Sequence, residues 1–500
     1  MLNERNIRLI FGLKLRQLRQ KKQMQPKALA KAAGISPSYL NEIEKGKKYP
    51  QPQKIVSLAN VLEVSYDEMV SLKLDKQLSP IVDLLQSNAL QDLPLDTFGI
   101  GTDKLVELIS NAPAKVSAFI STLIDIARNY EMKVEQFYLT ALRSYQQMHD
   151  NYFEEIEESV QLFMSEHQEN LKADFDFSLE NLQAVLTKKY RYTIDEKRLS
   201  EYPELRSVRS LFVKKKRKNL LLINDNLNAI QQKFQLGKEI GYQYMKLPER
   251  NIGPSWMQKS SFEQVLNNFK ASYFAGALLI NRKPLIADLS CLFQNTTWNG
   301  EAFLQMMKGY QVSPETFMHR ITSVLPRFFG LNQLFFLRFT NTQKDDQYVI
   351  TKELHLPKPH NPHGNQLNEH YCRRWITINI LKELAEAQTT NKKAGPIVRV
   401  QRSLYIDSGN EYFCISIARA MYPTPNRNSS VTIGFLMNKD FKNKVKFWND
   451  PNIAVRMVNE TCQRCRLTDC KERAVEATVL QQQAKIESAE AAVENLLNSF

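Results

Sequence analysis

The sequence predicts a chain of several domains, with an all-α unit at its N-terminus and α+β domains in its middle and C-terminal parts. Three observations lead to this prediction. The chain has 500 residues, and a domain with a single hydrophobic core is usually shorter than that. Apolar residues recur at helical spacing through the first seventy residues. Short β-rich runs separated by polar turns follow from about residue 330.

Two short helices joined by a tight turn are predicted between residues 25 and 46. Pro26 suits the first turn of a helix, and Gly34 can supply the positive φ that ends it. Ser36 can cap the second helix, with Pro37 in its first position. A helix, a glycine turn and a capped second helix form a helix-turn-helix, the geometry that places a recognition helix in the DNA major groove.

The charge of this segment agrees with DNA binding. Residues 1–60 carry 13 Lys or Arg and three Glu, a net charge of +10, whereas the whole chain carries +14. Concentrated positive charge is what neutralisation of DNA phosphates requires. A small solvated helical bundle is the alternative, but it does not account for the turn, the cap and the charge together. We therefore predict a DNA-binding domain over residues 1–72.

The segment GISPSYLNEIEKGKKYPQPQKIVSLANVLEVSYDEM resembles the Xre, or lambda-repressor-like, helix-turn-helix family. The resemblance implies that Gln25 contacts the DNA backbone. It also implies that the basic loop after the second helix holds phosphates through Lys45, Lys47 and Lys48. The residues that would face the groove are Ser36, Pro37, Ser38, Tyr39 and Asn41.

The composition predicts a cytoplasmic protein that does not bind membranes. No apolar run is long enough to cross a bilayer, and the charged N-terminus lacks the pattern of a signal peptide. Six cysteines in a chain of this size, three of them close together near the C-terminus, do not suggest an extracellular disulfide framework. Cysteines grouped in this way are more typical of metal or redox chemistry.

Two connecting segments are predicted after the DNA-binding domain. Residues 73–102 are polar and contain Pro80, Pro94 and Gly99, which is typical of a linker. Residues 103–182 have helical spacing with few breaks, and we expect a helical arm that could mediate dimerisation. A homodimer would match operator DNA with two-fold symmetry.

An α+β domain is predicted over residues 183–325, where FQLGKEIGY has the outline of the HExxH helix of zinc peptidases. That chemistry needs two His to hold zinc and the Glu between them as general base. Lys238 and Tyr242 occupy the His positions, and neither is a good zinc ligand at neutral pH. Glu239 remains, without a metal-bound water to activate. We therefore expect a degenerate metallopeptidase-like domain and no enzyme; the rival hypothesis is an active metallopeptidase that cleaves a partner repressor.

The third domain is predicted over residues 326–475, and a C-terminal helix over residues 476–500. The strands expected in this third domain are LFFLRFTN, QYVITKELHL, IVRVQRSLYI, EYFCISIARAM and SSVTIGFLM. Cys291 and Cys414 lie in apolar or β patterns and are predicted to be buried packing residues. The segment that carries His355, His360, His363 and His370 is rich in proline and is interpreted as an exposed loop rather than a metal site.

Cys462, Cys465 and Cys470 form a C-x2-C-x4-C array, whose thiolates could converge on one ion or cluster. Cys372 is the best candidate for a fourth ligand, and His370 is the second option. The array by itself allows Zn²⁺ or an iron–sulfur cluster, and three unligated thiols are the remaining alternative.

The helix-turn-helix, the degenerate peptidase-like middle, the CRRW element at residues 372–375 and the cysteine array together resemble the short-chain fatty-acyl transcriptional regulator family. The resemblance implies a C-terminal sensor domain that binds acyl-coenzyme A as effector and holds a [4Fe–4S] cluster. It would make the chain a transcription regulator whose effector shifts the spacing of two recognition helices. A purely structural zinc module is the alternative. The cysteines in the cluster positions are Cys372, Cys462, Cys465 and Cys470.

Overall fold

The computed structural model describes residues 4–71, 134–170, 177–214, 219–250, 261–342, 347–356, 369–391, 395–424 and 426–499. The linker predicted at 73–102 and the first part of the predicted helical arm lie outside the described residues. The chain divides into two compact units. The first contains the residues up to 141 together with 260–263, and the second contains 142–259 and all residues from 264 onward.

Helices form the described part of the first unit, as predicted. The turn has the expected chemistry: Gly34 has a φ of 64°, and the Ser36 side chain accepts a hydrogen bond from the Tyr39 amide at 3.1 Å. These features confirm the helix-turn-helix. The helices up to residue 71 are α1 (Glu4–Lys21), α2 (Pro26–Ala32), α3 (Pro37–Glu44), α4 (Pro52–Leu62) and α5 (Tyr66–Val70).

A close crossing and a buried ion pair hold α3 against α1. Gly12 allows the crossing, because a Cβ atom there would come within 2.4 Å of the Ile43 carbonyl oxygen. The Arg19 guanidinium donates two hydrogen bonds to the Glu44 carboxylate, at 2.7 and 3.0 Å, and a third to the Met24 carbonyl at 2.9 Å. Bidentate pairs of this kind fix orientation as well as distance, so α3 has a defined position on the surface of its unit.

Helices and a three-stranded sheet form the middle of the chain. Two of the helices confirm the helical character predicted for the arm: α6 (Val134–Met148) and α7 (Glu154–Asn170). The helices that follow are α8 (Leu179–Ala184), α9 (Ala229–Tyr244) and α10 (Phe262–Leu279). The strands are β1 (Tyr192–Asp195), β2 (Ser210–Val213) and β3 (Asn219–Ile223), in the order β1-β3-β2, with β1 parallel and β2 antiparallel to β3.

A six-stranded sheet of order β5-β4-β8-β7-β6-β9 organises the C-terminal part. Its strands are β4 (Leu334–Thr342), β5 (Tyr348–Leu356), β6 (Ile397–Tyr405), β7 (Glu411–Ala420), β8 (Arg427–Leu436) and β9 (Val455–Val458). The five strands predicted from the sequence are β4 to β8, and all five are confirmed. Strand β9 was not predicted, because it has only four residues and two of them are exposed. It pairs with β6 in parallel.

Helices cover both faces of this sheet. One face packs on α14 (Ile376–Thr390), and the other shares a large hydrophobic core with three consecutive helices. These are α11 (Arg282–Gln294), α12 (Gly300–Gly309) and α13 (Pro314–Phe329). The hydrophobic core therefore crosses the domain boundary that was predicted between residues 325 and 326. The described residues also include α15 (Lys439–Lys444) and α16 (Thr478–Leu497). Within the described ranges, no helix has both the length and the apolar character needed to cross a membrane.

Two sequence predictions are wrong in this part of the chain. Cys291 is exposed, because Leu285, Leu289 and Leu292 form the buried face of α11 and Cys291 lies outside it. His355 lies in strand β5 rather than in a loop. The prediction for Cys414 is confirmed, since its side chain is buried in β7.

A buried ion pair joins three helices of the second unit. The Arg320 guanidinium of α13 donates two hydrogen bonds to the Glu157 carboxylate of α7, and its Nε donates to the Ile280 carbonyl at 3.0 Å. The Tyr273 hydroxyl of α10 also donates to Glu157, at 2.9 Å. The side chains of Arg320 and Glu157 are only 2% and 1% exposed. Every charged group in the pair thus has partners.

We expect the substitution Arg320→Met to lower the free energy of unfolding of the second unit by about 3–5 kcal/mol, because it leaves the Glu157 carboxylate buried without its cation. Arg327→Met is the matched control, since Arg327 lies on the same helix and is exposed; it should cost less than about 1 kcal/mol. Urea unfolding followed by tryptophan fluorescence measures both, because Trp298, Trp375 and Trp448 belong to the second unit. Equal effects of the two substitutions would contradict the role given to the pair.

Candidate functional site

The side chains predicted to contact DNA lie on the surface of the first unit. Leu40 and Ile43 turn the apolar face of α3 into the core. The opposite face of α3 is polar and open to solvent, as a recognition helix requires. Its exposed residues are Ser36, Pro37, Ser38 and Asn41, while Tyr39 is half-buried.

The basic loop after α3 is exposed at Lys45, Lys47 and Lys48. The Lys48 ammonium forms an ion pair with Glu42 at 3.0 Å and lies 5.8 Å from the centroid of the Tyr39 ring. Its charge is therefore partly compensated when no DNA is bound. This makes Lys45 a stronger phosphate-binding candidate than Lys48.

Gln25 lies directly before α2, at the position that the helix-turn-helix resemblance assigns to contact with the DNA backbone. It is exposed, and its side chain does not cap the helix. The N-terminus of a helix favours anions, because the helix dipole is positive there. The position of Gln25 thus suits a DNA phosphate.

The degenerate peptidase site contains a cation that the sequence analysis did not identify. Glu239 on α9 accepts a hydrogen bond from the Tyr192 hydroxyl at 3.2 Å and forms an ion pair with Arg250. The Arg250 guanidinium lies 3.5 Å from the ring centroid of Phe212 and 4.3 Å from that of Tyr242. A guanidinium therefore balances the charge of the Glu239 carboxylate. Arg250 follows α9 in an irregular segment, and no sequence spacing marks it as a partner of Glu239.

The two residues in the zinc-ligand positions keep forms that do not bind zinc. Burial lowers the pKa of Lys238 to about 8, against the opposing effect of Glu239, so the ammonium form still prevails at neutral pH. Burial raises the pKa of Tyr242, which keeps its hydroxyl protonated. That hydroxyl is buried and has no hydrogen-bond partner among the described residues. The geometry thus supports the interpretation of a site without catalytic zinc.

The two segments that carry the predicted thiol ligands lie side by side in the second unit. Cys372, Cys462 and Cys465 are all buried, and Cys470 is half-buried. A short antiparallel bridge brings the two segments together: the Cys372 amide donates to the Glu460 carbonyl at 3.0 Å, and the Cys462 amide to the His370 carbonyl at 2.8 Å. Burial raises the pKa of Cys372 to about 11, and the charges of Cys462 and Cys465 act in the same direction.

Backbone and guanidinium groups shape the loop that carries the array. Arg473 donates to the carbonyls of Cys462 and Cys465, at 2.8 and 3.0 Å. The Ala474 amide points at the Cys462 sulfur, 3.5 Å away. An N–H group directed at sulfur stabilises the thiolate form that metals bind. The chemistry of these donors therefore suits a soft metal. Even so, no three His, Cys, Asp or Glu side chains in the described segments stand in positions that could hold one ion.

Of the predicted histidines, His370 lies beside the array and contacts another side chain. His370 is exposed, and its Nδ1 lies 3.1 Å from the Gln463 side-chain nitrogen. His355 Nε2 lies 3.6 Å from a Glu353 carboxylate oxygen. His360 and His363 lie outside the described residues. Both predicted candidates for the fourth ligand lie beside the array segment, since the Cys372 amide and the His370 carbonyl bond to it.

The fold and the exposed face of α3 define a helix-turn-helix protein, and comparison with known proteins agrees. A helix-turn-helix family model matches residues 15–69. The uncharacterized HTH-type transcriptional regulator YazB of Bacillus subtilis (strain 168) is 42% identical over 60 residues, which are 12% of this chain and 87% of that protein. The chain belongs to the helix-turn-helix family of transcriptional regulators.

Two further matches concern the rest of the chain. A model of the IrrE N-terminal-like domain, a peptidase-family domain, matches residues 195–322 and so includes Lys238, Glu239 and Tyr242. A solved Mycobacterium tuberculosis transcriptional regulator is similar with a TM-score of 0.47 and 16% identity, covering 67% of this chain and 93% of that one.

We expect Arg250→Ala to lower the free energy of unfolding by about 3–5 kcal/mol, because the Glu239 carboxylate would stay buried without a cation. The matched control is Arg198→Ala. Arg198 is exposed and lies 3.8 Å from Asp195, so its loss should cost less than about 1 kcal/mol. Urea unfolding monitored by circular dichroism measures the difference. If Arg250→Ala were as mild as the control, Glu239 would not depend on the guanidinium.

Proposed function

We propose that this protein is a cytoplasmic transcriptional regulator that binds operator DNA as a homodimer and senses a metabolite, redox state or both through its C-terminal domain. The exposed polar face of α3, on a unit whose interior fixes the helix in place, is the observation that carries the proposal. Membership of the helix-turn-helix family supports the DNA-binding part. A short-chain acyl-coenzyme A is the proposed effector, on the resemblance of the whole chain to the short-chain fatty-acyl regulators.

Two kinds of contact would contribute to DNA binding, one to sequence recognition and the other to affinity. Asn41 on α3 carries an amide that can donate to and accept from the edge of an adenine, so it would read sequence. Lys45 and Lys47 in the loop after α3 would neutralise phosphates, which adds affinity for any sequence. The Arg19–Glu44 ion pair holds the end of α3 from which this loop leaves.

Lys45→Ala and Lys47→Ala should each weaken DNA binding by a similar factor on all sequences and reduce the slope of log affinity against log salt by about 1. Asn41→Ala should instead cost about 1–3 kcal/mol on the preferred sequence and relax the preference at one base pair. Fluorescence anisotropy with fragments selected from genomic DNA gives these values.

Lys485→Ala is the matched control for the loop substitutions, because Lys485 is exposed on α16, far along the chain from α3. It should leave both affinity and salt slope unchanged. The proposal fails if the control weakens binding as much as Lys45→Ala, or if all three substitutions in and after α3 are silent.

The cysteine array is the proposed cofactor site. We propose that Cys372, Cys462, Cys465 and Cys470 hold a [4Fe–4S] cluster, with Zn²⁺ in a structural module as the alternative. The neighbouring buried thiols and the Ala474 amide at Cys462 support a thiolate centre. When bound, a cluster would supply a redox-sensitive link between the loop and the sheet. The Arg473 side chain orders the loop around it.

Protein purified without oxygen should contain about four iron atoms per chain and show a broad visible absorption band. Cys465→Ser should lose iron and absorption, because one thiolate ligand is replaced by a hydroxyl. Cys291→Ser is the matched control, since Cys291 is exposed on α11 and should leave the iron content intact. Stoichiometric zinc without iron would support the structural module instead, and binding of neither metal would contradict both.

A further inference from the structure

A narrow cavity in the second unit is lined by three arginines from distant parts of the chain. Arg209 lies just before β2 in the middle of the chain, Arg338 lies in β4, and Arg419 lies in β7. The cavity is small and partly open to solvent. Glu315, in the first turn of α13, and Ser429, in β8, complete its polar lining.

The register of the sheet explains why two of these arginines meet. Arg338 pairs with Val431, and Val431 pairs with Ile417 on the next strand. Arg419 lies two residues beyond Ile417 and pairs with Ser429. Residues two apart on a strand share a face. Arg338 and Arg419 therefore lie on the same face of the six-stranded sheet. The apolar residues of that face pack against α13.

Cations outnumber carboxylates at this site. Glu315 is ion-paired with Arg338 at 3.2 Å and with Lys352 at 2.9 Å, which already gives it two partners. Lys352 lies opposite Arg338 in the register of β5 and β4. The side chains of Arg209 and Arg419 form no hydrogen bond or ion pair with any residue that the structure describes. Four cationic groups thus share one carboxylate.

The surroundings of the site make this charge excess costly. Burial lowers the pKa of Arg419 to about 10. Glu315 opposes this shift, whereas Arg209 and Arg338 act in the same direction as burial. Burial also lowers the pKa of Arg209. His319, one turn along α13 from Glu315, adds no charge, because burial lowers its pKa to about 3. Several cations held together in a partly buried site with a single carboxylate are stabilised when a further anion joins them.

We propose that Arg209, Arg338 and Arg419 bind the phosphate group of a small ligand. Guanidinium groups match the oxygens of a phosphate with paired hydrogen bonds. A doubly charged phosphate also balances more of the excess positive charge than a single carboxylate does. Because Arg209 comes from the middle of the chain and the other two from the sheet, the ligand would join these two parts of the second unit.

The inference deepens the proposed function by naming the chemistry of the effector, and it rests on that function only for the effector role. Phosphate binding itself requires neither DNA nor a metal centre. The test is therefore made on the full chain without DNA, so that failure of operator binding and failure of phosphate binding are separate results.

Isothermal titration of the full chain with inorganic phosphate, pyrophosphate and acetyl-coenzyme A measures the affinity of the site. We expect at least one of these probes to bind, and Arg209→Gln and Arg419→Gln each to weaken its binding at least tenfold. Arg419→Lys keeps the positive charge but removes the paired donors of the guanidinium. Its affinity for the probe should lie between that of the Gln variants and that of the unmodified protein.

Arg399→Gln is the matched control. Arg399 belongs to β6 of the same sheet, but it is exposed and forms an ion pair with Glu383 of α14, on the opposite face. It should leave the affinity unchanged. Urea midpoints of all variants verify that they are folded.

If acetyl-coenzyme A binds more tightly than pyrophosphate, the result supports a ligand in which the phosphate is one group of a larger molecule. Equal or tighter binding of the inorganic anions would support a free phosphate species as ligand. The proposal is overturned if none of the three probes binds at millimolar concentration, or if folded Arg209→Gln and Arg419→Gln bind as tightly as the unmodified protein.

Discussion

The buried ion pair between Glu157 and Arg320 is the interaction on which the second unit depends. It joins residues 163 positions apart in the sequence and ties α7 to α13, while Tyr273 on α10 completes the set of partners. Removing two charges from water is expensive, and the cost is met only when each charge is fully paired and hydrogen-bonded. Because α13 also carries Glu315, this pair determines where one wall of the arginine-lined cavity lies.

The same rule explains what remains of the peptidase-like site. Glu239 is buried, and a buried carboxylate needs a cation nearby. In this chain Arg250 provides the positive charge, and the aromatic rings of Phe212 and Tyr242 lie against its guanidinium. The domain can thus keep its carboxylate and its shape without catalytic chemistry. The middle of the chain also contributes Arg209 to the proposed ligand site.

Local signals were sufficient to predict the helix-turn-helix, since Gly34, Ser36 and Pro37 act within a few residues of one another. The five longer strands were also predictable, because their apolar patterns are continuous. Contacts between distant residues were not: nothing in the sequence pairs Glu239 with Arg250, or brings Arg209 to Arg338 and Arg419. The final helix, which the sequence predicts over residues 476–500, spans Thr478–Leu497.

The affinity of the full chain for its selected DNA sequence, measured by fluorescence anisotropy with and without a short-chain acyl-coenzyme A, tests the central claim most directly. A regulator that couples DNA binding to an effector should prefer the selected sequence over a scrambled one at physiological salt. Its affinity should change by about 5- to 150-fold when the effector is added. Equal binding to both sequences would contradict the regulatory role, and an affinity unmoved by saturating acyl-coenzyme A would contradict this choice of effector.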